Sequence, residues 1–527
     1  MRRGIAILAL LLAFASPASA LDWLEVRGRL VVRRDSGEAV RLRGVCLDRF
    51  YFSYEEDPGV VATYCRREDV SQLAAEGVTL VRLGFHWREV LGPESARDLK
   101  RLDEIVSWCR ENGIYVVLDL RLPPGNREID PIDGAFWEKE ENATDLLRLW
   151  KVLAGRYAAE PAVLGYDVFN EPVPPDPERW WSLAERLIEA IRSVDPRHIV
   201  VIEPPLVDDQ ALRKLPDPQV LYSVHFYEPM MLSHQGAWWL GDVPLPMDLE
   251  YPGVVPTVEE LGYGDGASLE AEDAAKWRRL GSAEEEAPAG ACWLALTLYA
   301  EGEVEGAWFD DLEVTCDGQP VAVPNPGFEE RSEQAEDLPR IWRPGEEGDG
   351  EGTWSGEAHS GTHCVKLEKV ASRRSWTNWN DAIAGYYVAV SGGKKYRASA
   401  WVRTLRNRGS VGIGLAWLGR GEERWDRARV ELAMKPVLEW GERNEAPLYF
   451  GEIGATRGNR KAGAAYVADV IAVLNAAQAP WTLWCFRDPS EEAKAGAFGL
   501  WYGKDRGGTS GCTQNRELWE VVRAGLK

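Results

Sequence analysis

Six short apolar segments alternate with segments of helical character, and this alternation limits the folds open to the chain more than any other feature. The strands predicted from them lie at residues 40–45, 78–85, 114–120, 163–169, 198–203 and 220–226. Apolar residues with helical spacing fill the intervals at 69–76, 101–112, 143–158 and 180–194. Strands that are apolar on both faces and alternate with helices predict a parallel sheet that is covered on both sides.

The number of these units favours a closed barrel over an open, doubly wound sheet. Two more strands are predicted downstream, at 447–453 and 481–486, with helices at 464–476 and 515–524. No glycine-rich dinucleotide-binding fingerprint follows the first strand, which argues against the open sheet. We therefore predict an α/β fold, a (β/α)8 TIM barrel whose strands 1–6 and 7–8 come from different parts of the chain. The predicted parts of the barrel are residues 21–256 and residues 434–527.

The segment between them, residues 257–433, has a different character. It opens with a charged, glycine-containing stretch at 259–289, which we predict to be a linker or loop. Short alternating runs follow at 292–300, 307–314, 363–369, 382–390, 396–404 and 411–418. Alternation punctuated by Gly, Asn, Pro and Asp is typical of an antiparallel β-sandwich. We predict a sandwich domain inserted between barrel strands 6 and 7, with its two ends close together.

Residues 1–20 have the pattern of a signal peptide. Arg2 and Arg3 precede a short apolar run, and Ala18-Ser19-Ala20 fits a small-residue cleavage site. The run is too short to cross a bilayer, and no later uncharged apolar stretch of about 18 residues occurs. We predict cleavage near Ala20, a secreted mature chain and no stable membrane span.

Charge and residue usage exclude several kinds of partner. The net charge of −23 disfavours nucleic acid and other anionic polymers. The eight Cys and six His form no CxxC pair and no cluster with zinc-ligand spacing, so we predict neither a metal nor a cofactor. Tryptophan is abundant, with 24 residues beside 12 Phe. Indole faces can pack on the C–H faces of sugars, although core packing accounts for most of these rings.

Two glutamates end predicted barrel strands, where such barrels carry their reactive groups. Strand 4 ends in Asn170-Glu171-Pro172, and strand 7 ends in Phe450-Gly451-Glu452. Glycoside cleavage requires one carboxylic acid to protonate the leaving oxygen and a second carboxylate to attack, or to activate water at, the anomeric carbon. Glu171 and Glu452 are therefore the candidate catalytic pair.

Other strand ends supply candidate supporting groups. Arg82 and the Tyr227 hydroxyl are expected to hold Glu452 ionised. Asn170 is expected to bind the sugar hydroxyl beside the anomeric carbon, and Trp484 to form a flat floor for the sugar. The full set of predicted substrate-binding and supporting residues is Arg82, His86, Asn170, His225, Tyr227 and Trp484, with Arg121 and Trp238 as further candidates.

The strings Asn170-Glu171-Pro172, His225-Phe226-Tyr227 and Phe450-Gly451-Glu452, with Arg82 and Trp484, resemble glycoside hydrolase family 5, the cellulase-type retaining barrels. The resemblance covers both barrel parts in strand order. It implies a retaining hydrolase of β-linked glucan, mannan or related saccharides, with Glu171 as acid/base and Glu452 as nucleophile. One departure is Asp119-Leu120-Arg121, because family members often have Asp-x-His at the end of strand 3. Two explanations are open: His86 occupies comparable space, or the lost imidazole marks an unusual substrate.

The inserted segment also carries resemblances. Asn325-Pro326-Gly327-Phe328-Glu329 resembles the opening of a carbohydrate-binding β-sandwich module, and residues 308–312 resemble its closing strand. The closing motif comes first, which favours one circularly permuted sandwich over two partial modules. Two alternatives to hydrolysis remain open at this stage: a non-catalytic glycan-binding barrel, and a transglycosylase that uses the same covalent intermediate. The oligomeric state is also open.

Overall fold

The structure is a computed structural model. It describes residues 21–47, 65–126, 134–206, 212–237, 240, 245–270, 274–332, 337–345, 348–378, 386–488, 496–503 and 511–527. The predicted signal peptide at residues 1–20 and the candidate residue Trp238 lie outside the described residues.

Strands from the two ends of the described chain close into a parallel barrel. In chain order the barrel strands are Arg43–Leu47, Leu80–His86, Tyr115–Leu122, Val163–Asp167, Ile199–Ile202, Val220–Phe226, Leu448–Ile453 and Trp481–Leu483. We number them as barrel strands 1 to 8. Strand 7 pairs with strand 6 across the inserted segment, and strand 8 pairs with strand 1 to close the ring. The predicted fold class is confirmed.

Helices cover the outside of the barrel. They are Arg67–Ala75, Trp87–Leu91, Ser95–Glu111, Glu140–Tyr157, Pro177–Arg192, Met230–Ser233, Arg427–Asn444, Arg460–Ala476 and Arg516–Leu526, with a 3-10 turn at Gly134–Glu138. Gly77 and Gly113, just past the ends of two of them, have φ of +97° and +72°, as expected for glycines that end helices. Helix Arg427–Asn444 lies outside the segments in which the sequence pattern predicted a helix.

Two buried tryptophans on the helices form hydrogen bonds with the backbone just beyond the strands that lead to the candidate site. Trp150, on helix Glu140–Tyr157, donates a 2.9 Å hydrogen bond from its indole N–H to the carbonyl of Val168. Trp180, on helix Pro177–Arg192, donates in the same way to the carbonyl of Glu203 at 2.9 Å. Each indole therefore fills the layer between helix and sheet and also satisfies a backbone carbonyl just beyond a strand.

A hairpin closes one end of the barrel. Its strands, Leu24–Arg27 and Leu30–Arg33, pair antiparallel, and Leu24 and Val31 pack against residues at the beginnings of the barrel strands. Because this plug covers the amino-terminal ends of the strands, the candidate site lies at the opposite, carboxyl-terminal end.

The inserted segment forms two facing antiparallel sheets around a core of its own, as predicted. One sheet contains, in spatial order, Ala274–Gly281, Lys395–Asn407, Val304–Cys316, Cys364–Val370 and Glu351–Ser355, with Glu285–Glu286 and Gln319–Val321 at its margins. The other contains Arg343–Pro344, Arg373–Thr377, Ala291–Glu301, Ser410–Trp425 and Gly253–Glu270, with Val388–Ala389 beside it. A small third sheet, Arg487–Asp488, Trp501–Tyr502 and Thr513–Gln514, lies near the end of the chain.

The prediction of a linker or loop at 259–289 is wrong. Strands Gly253–Glu270 and Ala274–Gly281 occupy most of that stretch, and Gly253–Glu270 pairs with almost the whole of Ser410–Trp425. Charged and glycine-containing residues have no local pattern that predicts a strand. They adopt the β conformation here because the neighbouring strand supplies their hydrogen-bond partners. The domain limits at 257 and 433 stay a prediction, since strand Gly253–Glu270 and helix Arg427–Asn444 each span one of them.

The two cores touch through the loop that follows barrel strand 6. Met231 packs against both, while Ala237 and Leu245 belong to the sandwich core. Within the described ranges, none of the helices has the length and apolar character needed to cross a membrane.

Candidate active site

Glu171 and Glu452 meet at the carboxyl-terminal mouth of the barrel. One carboxylate oxygen of each, together with a ring nitrogen of His225, lie within 4.8 Å of one another. The Glu452 side chain is almost completely buried, whereas that of Glu171 is 17% exposed. The pair therefore consists of one deep carboxylate and one that faces the opening.

Three donors surround the Glu452 carboxylate. The Arg82 guanidinium donates to Oε1 at 2.7 Å, and the Tyr227 hydroxyl donates to Oε2 at 2.8 Å. The Arg121 guanidinium also bonds Oε1. Burial by itself would raise the pKa of Glu452, but the positive charges of Arg121, His225 and Arg82 outweigh it and lower the pKa below its usual range. Glu452 is therefore held as a carboxylate.

Arg82 is the hub of the buried polar network. Its side chain is fully buried, and besides Glu452 it donates to Asp167 at 2.9 Å and to Glu203 at 2.8 Å. It also forms a 3.0 Å ion pair with Asp119. Strand register explains the convergence, because Asp119 pairs with Asp167 across strands 3 and 4 at one level of the barrel.

Carboxylates outnumber cations in this buried group, and the excess negative charge must be relieved. Burial raises the pKa of Asp119 and of Asp167, in spite of the neighbouring Arg82. Neither aspartate is held by as many donors as Glu452, so these two carboxyl groups have the least support for their ionised form.

Asn170 lies between the two arginines. Its Oδ1 accepts from Arg82 at 3.0 Å and from Arg121 at 2.6 Å. Two guanidinium donors on one oxygen determine which way the carboxamide faces, so its NH2 group is directed away from both arginines.

Arg121, the residue that departs from the family pattern, is part of the centre. Besides its bonds to Glu452 and Asn170, its guanidinium lies over the ring of Trp484, 4.1 Å from the ring centre. Trp484 is itself only 7% exposed. The predicted sugar floor therefore has one of its faces covered by a cation.

His86 has a different local role from the one the sequence predicted for it. It ends barrel strand 2 and begins helix Trp87–Leu91, where its Nδ1 accepts a 2.9 Å hydrogen bond from the backbone N–H of Arg88. Burial, with a contribution from Arg88, lowers the pKa of His86 to about 3, so the ring is neutral. A substrate contact by His86 stays a prediction, and Nε2 is the ring nitrogen that would make it, because Nδ1 is bonded to Arg88.

Three carboxylates in the network were not among the predicted site residues: Asp119, Asp167 and Glu203. A signal for them exists in the sequence, because each stands within or at the end of an otherwise apolar strand segment. A charge in such a place must find a partner inside the barrel.

The trio of Glu171, His225 and Glu452 also has the atom types and spacing of a metal site among the described residues. The charges nearby are unfavourable for a cation. Arg82 and Arg121 already bond Glu452, and Glu203 and Glu452 raise the pKa of His225 well above its usual value against the effect of burial. A protonated imidazole has no lone pair for a metal.

Comparison with known proteins finds a family model that matches part of the barrel. Residues 35–279 match the family model described as Cellulase (glycosyl hydrolase family 5). This stretch contains Glu171 and barrel strands 1 to 6, whereas Glu452 lies beyond it.

Two curated relatives carry names of saccharide-cleaving enzymes. Endoglucanase C of Acetivibrio thermocellus is 26% identical over 209 residues, which are 38% of this chain and 61% of the relative. Cellodextrinase A of Ruminococcus flavefaciens is 25% identical over 247 residues, 41% of this chain and 73% of the relative. The alignment thus leaves more than a third of the endoglucanase unmatched.

Among solved structures, a hyperthermophilic endo-beta-1,4-glucanase in complex with substrate superposes with a TM-score of 0.50 at 14% identity. The superposition covers 92% of this chain and 97% of the glucanase, and it shows a shared fold. The family match over residues 35–279 supports a cellulase-type barrel of glycosyl hydrolase family 5.

Proposed function

We propose that the protein is a secreted retaining glycoside hydrolase of β-linked glucan or a related saccharide, with Glu452 as nucleophile and Glu171 as acid/base. The observation that carries the proposal is the approach of the two carboxylates, with one oxygen of each within 4.8 Å of the other. Retaining enzymes hold the two carboxyl groups about 5–5.5 Å apart, whereas inverting enzymes leave about 6.5–9.5 Å for a water molecule.

In the first step Glu452 attacks the anomeric carbon while the bond from that carbon to the leaving oxygen breaks. Glu171 transfers its proton to that oxygen, and a glycosyl ester on Glu452 results. Arg82, Arg121 and Tyr227 favour the ionised form of Glu452 that attacks. The NH2 group of Asn170, turned away from both arginines, is suited to donate to the hydroxyl next to the anomeric carbon.

In the second step water attacks the same carbon and the ester bond to Glu452 breaks. Glu171, now ionised, takes the proton of the water, so the enzyme returns to its starting state. The donors on Glu452 act again here, because the departing carboxylate recovers the charge that they stabilise.

The substrate class and the location rest on the relatives and on the sequence. The names endoglucanase and cellodextrinase both refer to β-glucan or its fragments, which makes such a saccharide the first choice of substrate. Secretion is proposed from the signal-peptide pattern of residues 1–20.

Aryl β-glycosides of glucose, cellobiose and mannose test this function. We expect hydrolysis of at least one of them. NMR should show that the sugar released first keeps the β configuration at its anomeric carbon. Glu452→Gln should lower kcat on the order of 10⁴-fold or more. Glu185→Gln, on the exposed face of helix Pro177–Arg192, is the matched control and should act like the wild type.

Azide distinguishes the two glutamates. In Glu171→Ala, azide should react with the glycosyl ester and release the β-glycosyl azide. In Glu452→Ala, azide should take the place of the nucleophile and give the α-glycosyl azide. Inverted products in the wild type, or the opposite pair of azides, would refute the assignment. Release of no aglycone, with polysaccharide still bound, would favour a non-catalytic barrel, and products longer than the substrate would favour a transglycosylase.

A further inference from the structure

Glu203, directly after barrel strand 5, contacts both the backbone of Glu171 and the ring that holds its side chain. Its Oε2 accepts a 2.8 Å hydrogen bond from the backbone N–H of Glu171. Its Oε1 lies 3.3 Å from Nε2 of His225, whose other nitrogen, Nδ1, is 2.7 Å from Oε1 of Glu171. One buried carboxylate therefore acts on the same residue at two points.

The backbone of Glu171 is in a conformation that needs such a restraint. Its φ is +46°, in the left-handed region that residues with a Cβ rarely adopt. Conformations of this kind persist where the surrounding structure holds them, and they are concentrated at functional sites. A hydrogen bond from the backbone N–H to a buried carboxylate is a strong restraint, because the acceptor is charged.

Glu203 is itself held firmly enough to restrain another residue. Trp180 donates a 2.9 Å hydrogen bond to its backbone carbonyl, and Arg82 donates at 2.8 Å to Oε1. Burial alone would raise the pKa of Glu203, but His225 and Arg82 outweigh it and lower the pKa. The side chain is therefore anchored at both ends and ionised.

The charges around His225 hold its ring as a cation. Three carboxylates face it, those of Glu171, Glu203 and Glu452, the last at 3.8 Å, while Arg82 faces Glu203 from strand 2. A protonated imidazole donates from both nitrogens. Nδ1 hydrogen-bonds Glu171, and Nε2 lies at ion-pair distance from Glu203, so the position of the ring depends on both carboxylates.

We propose that Glu203 is a positioning residue of the catalytic centre: it determines where the Glu171 carboxylate lies in the cleft by restraining its backbone and by orienting His225. The proposal rests on the function proposed above. Glu203 does not touch the reacting atoms. Glu171 gives its proton to the leaving oxygen and recovers one from water, so Glu203 affects the place of the transfer and not the balance of protons.

Substrates with different leaving groups test this role. A 2,4-dinitrophenolate leaves without protonation, whereas the hydroxyl of a second sugar requires it, so a misplaced Glu171 slows only cleavage of the second kind of bond. We expect Glu203→Gln to lower kcat/KM for a cello-oligosaccharide about 100-fold, and for the dinitrophenyl glycoside less than about 5-fold. Glu203→Asp keeps the charge, withdraws the carboxylate by one methylene, and should show the same selective loss if Glu203→Gln does not fold.

Asp167→Asn is the matched control. Asp167 is also a buried partner of Arg82, at 2.9 Å from Nε, and its effect passes through Arg82 to the nucleophile. We expect this variant to lower kcat/KM by a similar factor for both leaving groups. Equal losses on the two substrates in Glu203→Gln would show a merely structural role and overturn the proposal.

An NMR titration of the histidine rings provides a readout that does not depend on activity. Glu203→Gln should lower the pKa of His225 by about one unit or more, because the variant removes a facing negative charge. An unchanged His225 titration would contradict the proposed contact. If the wild type cleaves no glycoside, the function proposed above fails, while the titration still decides whether Glu203 controls His225.

Discussion

The Arg121 guanidinium lies 4.1 Å from the centre of the Trp484 ring and at the same time bonds the carboxylate of Glu452. A desolvated cation over an indole contributes about 2 kcal/mol, so this stack is a substantial contact. Because Asp119-Leu120-Arg121 lies near the end of strand 3, a fixed positive charge stands where the family resemblance leads one to expect a histidine. Glu452, the proposed nucleophile, thus has two arginines beside it.

Removal of the charge of Arg121 should shift the acid limb of activity. Arg121 lowers the pKa of Glu452, so Arg121→Gln should raise that pKa. As the proposed nucleophile, Glu452 must be ionised to attack. The acid limb of kcat/KM should move to higher pH by about one unit, and activity should be lost below it. Arg179→Gln removes another arginine stacked on a tryptophan, Trp137, at the surface, and should leave the profile unchanged. An unshifted acid limb in Arg121→Gln would refute this role.

Loss of the Tyr227 hydroxyl should slow catalysis without disturbing the fold. Its hydrogen bond to Oε2 of Glu452 is 2.8 Å long, and a hydrogen bond to a charged group is worth about 1.5–3 kcal/mol. Tyr227→Phe should therefore lower kcat/KM roughly 10- to 100-fold. Tyr222→Phe, on the strand that Tyr227 follows, removes a hydroxyl that accepts from the backbone of Leu215, and it should affect stability more than turnover. Wild-type kcat/KM in Tyr227→Phe would contradict the assignment.

The opposite end of the barrel should respond to acid. Asp195 accepts a 2.6 Å hydrogen bond from Tyr166 and bonds His198, and although burial acts against it, these partners lower the pKa of Asp195. A lowered pKa stabilises the fold above the unfolded-state value of about 4, and this contribution is lost as the pH falls below it. Asp195→Asn should reduce the free energy of unfolding at pH 7 by about 2–4 kcal/mol.

Denaturant titrations at pH 7 and at pH 3 provide the measurement. The difference in unfolding free energy between wild type and Asp195→Asn should shrink at the lower pH. A difference that stays constant or grows would show that the charge of Asp195 is not the source of the stabilisation.

The separate core of the inserted sandwich predicts separable stability. Phe309 is fully buried in that core, and Phe309→Ala should destabilise the sandwich by about 3–5 kcal/mol. Leu149→Ala removes a fully buried side chain from the barrel core instead, at about 2–5 kcal/mol. Calorimetry should show two unfolding transitions, with each variant lowering the midpoint temperature of a different one. Hydrolysis of an aryl glycoside should be lost at the temperature of the barrel transition. A single transition lowered by both variants would show that the two cores unfold together.

Much of the architecture could be predicted because apolar periodicity and glycine positions along the sequence indicate the strands and the ends of the helices. Barrel strands such as Leu80–His86 are buried along their whole length, and a strand apolar on both faces needs cover on both sides. Helix ends at Gly77 and Gly113 follow from the conformational freedom of glycine. The sandwich strand Gly253–Glu270 was not predicted, because its polar residues gain their β conformation from a partner more than a hundred residues away.

The two glutamates could be named from the sequence because each stands at or shortly after the end of a strand, Glu452 in Leu448–Ile453 and Glu171 beyond Val163–Asp167. Parallel strands in a barrel bring their carboxyl ends to one face. Only the tertiary structure determines which residues bond to the two glutamates and to the carboxylates around them. The bond of Arg121 to Glu452, the hydrogen bond from Glu171 to Glu203 and the burial of Asp119 beside Arg82 all join different strands. Electrostatic energies depend on distance and on exclusion of water, and both are set only when the strands close around the site.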